Sequence, residues 1–201
     1  MTSAVTVPPS RSVLAHALKP GAHGARTAHA VTIAERRLAC VLVATRREQD
    51  AALAAVAKTA FGAEPPGPGH ALLQGAVTTV WIQPGCWLIT EPLGSEGALA
   101  ARLERALAGH AAIVDQSHGK ACIRIAGASA RHVLAKGCRI DLHPRVFGPG
   151  RAAVTPIAHV NCLLVQTDAG PTFDLIVPST LAESLLAWLE ESAAEFGYTM
   201  S

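Results

Sequence analysis

Apolar residues along this chain gather in short runs separated by turn residues, and the runs change between helical and strand spacing. Val31-Thr32-Ile33 reads as a short strand and Leu38–Ala44 as a stronger, continuously apolar one. Leu53, Val56, Ala57 and Ala60 fall at helical spacing and predict a helix from Glu48 to Phe61, with Thr45 placed to cap it. Gly62-Ala-Glu-Pro-Pro-Gly-Pro-Gly69 stops that helix. Val77–Ile82 and Cys86–Thr90 are strands joined by the Gln83-Pro84-Gly85 turn, a hairpin signal. Ser95 caps a predicted helix through Ala108, Gly109 ends it, and Ala111–Val114 is the next strand. The order is strand, helix, strand, strand, helix, strand, the split βαβ arrangement of ferredoxin-like units.

A second round follows. Lys120–Ile125 is a strand, and Gly127-Ala128-Ser129 leads into a helix through Leu134. Residues 136–144 read as coil ending at Pro144, and Phe147-Gly-Pro-Gly150 as a turn. Ala153–Val160, Cys162–Thr167 and Thr172–Val177 are strands. Ser179 is placed to cap the last helix, whose inner face carries Leu185, Leu186, Trp188 and Leu189, and Gly197 closes it. The expected fold is α+β: two ferredoxin-like halves, 31–116 and 117–201, packed together and sharing one core. Residues 1–30, dominated by Pro, Gly, Ser, Ala and His with a short helical possibility near Arg11–Leu18, read as an extended or disordered arm. Such an arm is expected to order only against a neighbour.

Composition narrows the function classes. Of the 201 residues 50% are hydrophobic but 4% aromatic, so the core must be built of Ala, Val, Leu and Ile. Charged residues make up 16%, below the roughly 25% usual for soluble domains. That fits either a surface covered by partners or a bias toward alanine. With a net charge of +2 and no basic cluster interleaved with aromatics, nucleic acid is not an expected partner. No apolar run approaches the ~20 residues of a membrane span, and the N-terminus has no secretory-signal pattern. Cys40, Cys86, Cys122, Cys138 and Cys162 share no metal-type or redox-type spacing, which fits reduced thiols in a cytoplasm.

The candidate chemistry is sparse. Asp115-Gln116-Ser117-His118 puts four hydrogen-bonding side chains at a corner between two strands. Neighbouring side chains on an extended chain face opposite ways, so Ser117 and His118 do not aim at each other as a nucleophile and its base must. The favoured role is satisfaction of backbone N–H groups by Asp115 and Ser117. Lys136 stands two residues before Cys138, and a cation can activate a thiol; a Lys near a helix end followed by a packing Cys is the blander reading. Trp81 and Trp87 flank a hairpin, where they could stack a flat ligand, pack the core or cover a partner. No histidine pair has metal-ligand spacing, and no Gly-rich nucleotide fingerprint follows any strand.

Asp115-Gln-Ser-His-Gly119, then Ile123-Arg-Ile-Ala-Gly127, Ala130 and Leu134, resembles the start of the aminomethyltransferase fold, the T protein of the glycine cleavage system. The longer run through Val133-Leu-Ala-Lys-Gly-Cys138 and Asp141-Leu-His-Pro-Arg145 is similar to the gamma subunits of heterotetrameric sarcosine oxidases. Trp81-Ile82, Trp87-Leu-Ile89 and Phe173–Pro178 through Trp188-Leu189 to Glu195-Phe-Gly197 agree with it, so the resemblance runs from about residue 31 to the end. It implies a complex that demethylates sarcosine oxidatively to glycine, forms hydrogen peroxide and passes the one-carbon unit to tetrahydrofolate. It implies alpha, beta and delta subunits as partners, with FAD, FMN, NAD and tetrahydrofolate held by those partners and no catalytic residue in the gamma chain. Two other readings stay open: a free-standing folate-binding protein working through Cys138, and a gamma subunit of an oxidase or dehydrogenase for another N-methyl amino acid.

Overall fold

Strand Leu38–Thr45 is buried along most of its length, and that explains the architecture: it has a layer on each side. The structure, a computed structural model, describes residues 11–46, 56–58, 63–94 and 97–201. In chain order the strands are β1 Gly21–His23, β2 Val31–Arg36, β3 Leu38–Thr45, β4 Ala71–Gln74, β5 Val77–Gln83, β6 Cys86–Pro92, β7 Ala111–Asp115, β8 Lys120–Ala126, β9 Ala152–Ile157, β10 Val160–Asp168, β11 Thr172–Pro178 and β12 Tyr198–Met200. The helices are α1 Ala98–Ala106, α2 Ala130–Ala135 and α3 Ala182–Ala193. Residues 56–58 are helical, while the rest of the helix expected from Glu48 and the Ser95 cap lie outside the described residues.

The strands form two sheets, ordered β4-β5-β6-β3-β7 and β1-β12-β2-β8-β11-β10-β9. Without β4, the smaller sheet has the ferredoxin-like order, its first strand β3 between the hairpin β5–β6 and the last strand β7. The larger sheet repeats the order with β8 first, β10–β11 as the hairpin and β12 last. Here β2 is inserted between β12 and β8, parallel to the former and antiparallel to the latter. Residues 31–36, read from sequence as the opening of the first half, therefore belong to the sheet of the second.

The two sheets pack face to face. Leu38, Cys40, Val80 and Leu88 of the smaller meet Cys122, Leu163, Val165 and Ile176 of the larger. On the outer face of the larger sheet, Ile33, Ile123, Ile125, Phe173 and Leu175 pack against Val133, Leu134, Leu185, Leu186 and Leu189 of α2 and α3. On the outer face of the smaller, Val41, Val43 and Ile89 meet Leu99 and Leu103 of α1. This helix–sheet–sheet–helix order gives the central strands two apolar faces, as their unbroken apolar runs require.

Residues 11–30 find their partner within the chain. Leu14 is fully buried in the core under α3, and β1 pairs antiparallel with β12. Ala25 N–H donates to the Ala194 carbonyl at 2.8 Å, just past the end of α3. The approach is so close that a Cβ on Gly197, at φ +76°, would lie 1.9 Å from the Ala25 carbonyl oxygen.

Local differences from the sequence reading have local causes. The β9–β10 hairpin turns at Ala158-His159 rather than beyond Val160, with Ile157 paired to Val160. Ser179 begins a 3-10 turn, Ser179–Leu181, and makes no side-chain cap; the N-cap position of α3 falls on Leu181. β4 is an additional edge strand, and β1 and β12 are short.

Candidate functional site

Strand β3 needs a partner for Cys40 just where its ladder with β7 stops at Val41–Asp115. The corner supplies it. Gln116 N–H donates to the Cys40 carbonyl at 2.7 Å, and Cys40 N–H donates to Ser117 Oγ at 3.0 Å. Ser117 Oγ–H in turn donates to Asp115 Oδ1 at 2.6 Å, and the same oxygen accepts Ser117 N–H at 2.9 Å. Gly119 closes the turn on the Gln116 carbonyl, and its own carbonyl accepts Ser179 N–H at 3.0 Å. The serine oxygen is thus occupied as both acceptor and donor, in a turn that ties the two sheets together. His118 lines a cavity of about 60 Å³ with Arg36, Arg37 and Lys120, far smaller than the roughly 300–1,000 Å³ of small-molecule sites.

Lys136 and Cys138 do not combine as cation and thiolate. The Lys136 ammonium binds Glu195 Oε1 at 2.6 Å, donates to the Ser192 carbonyl and lies 5.2 Å from the Phe196 ring centroid. It fastens the end of α2 to the last turn of α3, where a cation suits the exposed carbonyls. Cys138 is buried and bridged to Ile157, and burial raises its thiol pKa despite hydrogen bonds from Ile140 and Thr155 that lower it. The four other cysteines are also buried and free, with thiols raised chiefly by burial. A thiol held neutral is a poor nucleophile. Trp81 and Trp87 sit opposite each other across the β5–β6 hairpin. Trp87 packs with the α1 core and donates its indole N–H to the Pro66 carbonyl at 2.8 Å.

Two buried polar clusters escaped the sequence reading. Asp174 in β11, 5% exposed, accepts Arg124 Nε–H and Nη2–H at 2.7 and 2.9 Å and Arg36 Nη1–H at 2.8 Å. Gln166, fully buried, accepts Arg131 Nη2–H at 2.9 Å and donates to the Asp168 carbonyl at 2.8 Å. Both are internal ties. The available signal was a lone Asp between Phe173 and Leu175 in an apolar strand; its partners lie 50 and 138 residues away. Among the described residues, no group of three or more His, Cys, Asp or Glu could hold a metal ion. No described helix is long and apolar enough to cross a membrane.

The corner at Ser117 and the contact at Lys136 brace the fold against itself. The sarcosine oxidase, gamma subunit family matches residues 46–195, most of the chain. The chain belongs to that family. Among gamma-subunit relatives, the sarcosine oxidase subunit gamma of Arthrobacter sp. is 32% identical over 154 residues, covering 67% of this chain and 74% of that protein. The subunit gamma of Corynebacterium sp. (strain U-96) is 27% identical over 196 residues, covering 88% and 90%. A chain of the heterotetrameric sarcosine oxidase from Corynebacterium sp. U-96, solved with pyrrole 2-carboxylate, superposes with a TM-score of 0.79 at 27% identity. That superposition covers 93% of this chain and 96% of the other. The glycine cleavage aminomethyltransferase T from Bartonella henselae shares the fold at 13% identity, with a TM-score of 0.62, over 86% of this chain and 48% of its own. The gamma-subunit fold therefore matches about half of an aminomethyltransferase.

Proposed function

We propose that this chain is the non-catalytic gamma subunit of a heterotetrameric sarcosine oxidase, assembled with alpha, beta and delta subunits. The complex demethylates sarcosine oxidatively to glycine, releases hydrogen peroxide and passes the one-carbon unit to tetrahydrofolate. FAD, FMN, NAD and tetrahydrofolate belong to the partner subunits. The observation that carries the reading is the nearly end-to-end superposition on one chain of a heterotetrameric sarcosine oxidase. The side chains support it from within: Ser117 is engaged by Cys40 and Asp115, Lys136 by Glu195, and Cys138 is a buried thiol with a raised pKa. A free-standing folate-binding protein working through Cys138 would need that thiol ionised and accessible, which its burial opposes.

The test is to purify the chain alone and co-expressed with candidate alpha, beta and delta subunits. The isolated chain should show no flavin absorbance and no sarcosine-dependent peroxide formation, and the co-expressed chain should purify within an active complex. Flavin binding with turnover by the isolated chain would overturn the reading.

A further inference from the structure

A groove of about 620 Å³ runs beside the β9–β10 turn, between the segment after α2 and the exposed side of α3. Lys136, Cys138, Arg139, Ala158, His159 and Trp188 line it. Its construction is unusual in two ways. Ala158 and His159 have φ of +48° and +68°, and they are the non-glycine residues with positive φ among those described. Two-residue hairpin turns of this hand favour Asn-Gly, because other L residues are strained there. Asn-Gly at 158–159 would ease the turn but remove the imidazole. Strained backbone of this sort concentrates at functional sites. The second feature is the wall. A Cβ on Gly137 would lie 2.5 Å from Trp188 Cζ2, so the backbone is laid directly on the indole and keeps it half-buried at the groove.

The charges are unbalanced. Three arginines outside the groove are matched by carboxylates: Arg36 and Arg124 by Asp174, and Arg102 by Glu91 at 2.6 Å. In the groove the Lys136 ammonium is taken by Glu195. Arg139 and His159 are exposed and have no hydrogen-bond or ion-pair partner among the described residues, and no Asp or Glu lines the groove. An open guanidinium and an imidazole beside an indole suit a carboxylate, held through two parallel N–H···O bonds, next to an apolar side chain.

We propose that this groove is the docking site for an acidic polypeptide segment of a partner subunit, with an Asp or Glu carboxylate on Arg139 and His159 and an apolar neighbour against Trp188. The proposal rests on the gamma-subunit reading above and deepens it by naming the surface and the chemistry of what covers it. Because the attraction is partly electrostatic, it sets the rate and specificity of assembly and weakens with salt.

The test uses the co-expressed complex. The Arg139→Glu/His159→Asp variant should weaken assembly at least ~10-fold, while the thermal midpoint of the free chain does not fall, since Asp tolerates the left-handed turn. His159→Asn should raise that midpoint, since Asn tolerates the left-handed turn, and still weaken assembly. In the Arg139→Lys variant, zero-length carbodiimide coupling should join position 139 to an Asp or Glu of another subunit. The proposal is overturned if the double charge reversal assembles like wild type, or if position 139 couples to nothing but a second copy of this chain. Failure of the wild-type chain to assemble at all would instead sink the gamma-subunit reading, and the groove with it.

Discussion

Ser117 shows how little of a site's role is written in its own neighbourhood. The turn it forms with Asp115 follows from short polar side chains at a corner, but its second bond is to Cys40 N–H, 77 residues away. No local pattern carries that information. Replacing Ser117 by Ala leaves a part-buried N–H without a partner, which should destabilise the chain by about 1–3 kcal/mol; Ser117→Thr should recover most of it. Chemical denaturation measures both, and a neutral Ser117→Ala would contradict the bracing role. The thiols make a second residue-scale case. Burial pushes Cys40 up from 9.0 to about 12, opposed by Lys120 and aided by Asp115. Below pH 9 the thiol is neutral in both folded and unfolded chains, and its contribution to stability is complete. Between 9 and 12 the unfolded chain loses a proton that the folded chain keeps, so stability falls by about 1.4 kcal/mol per pH unit for that thiol. Denaturation midpoints from pH 8 to 11 should therefore drop less steeply for Cys40→Ala than for wild type. Equal slopes would show that Cys40 ionises normally when folded.

Elements were more legible than residues where their periodicity was long and unshared. The β5–β6 hairpin turns at Pro84-Gly85, and β3, β7 and β8 lie close to their apolar runs. The strand β4, Ala71-Leu-Leu-Gln74, escaped because four half-buried residues without β-branching carry little strand signal. The β9–β10 turn was displaced because Ala-His has no turn chemistry of its own. Residues 11–30 have the composition of a loose arm, but Leu14 and the three residues of β1 attach them to the core. Leu14 is fully buried, so Leu14→Ala should cost about 2–5 kcal/mol. It should also make residues 11–30 the first to be cut in limited proteolysis. Early cleavage of that segment in the free wild-type chain would mean that it orders only in an assembly.

At the scale of the whole molecule, the repeated split βαβ pattern predicted two related halves, and the structure has them. The pattern could not show that β2 crosses into the sheet of the second half, nor that the sheets stack face to face. Both depend on long-range pairing: Thr32 opposite Ala126, and Leu38 and Cys40 against the face carrying Leu163 and Ile176. Asp174 with Arg36 and Arg124 then joins β2, β8 and β11 by charge as well as by main-chain bonds. The resulting body has Ser117, Asp174, Gln166 and Lys136 committed to holding itself together, with Arg139 and His159 open in a groove on its outside. Native mass spectrometry of the chain co-expressed with candidate sarcosine oxidase subunits tests this account most directly. It predicts a complex of four different subunits containing this chain, with the flavin carried by the others. A chain that stays apart from them, or that carries flavin and oxidises sarcosine unaided, would contradict it.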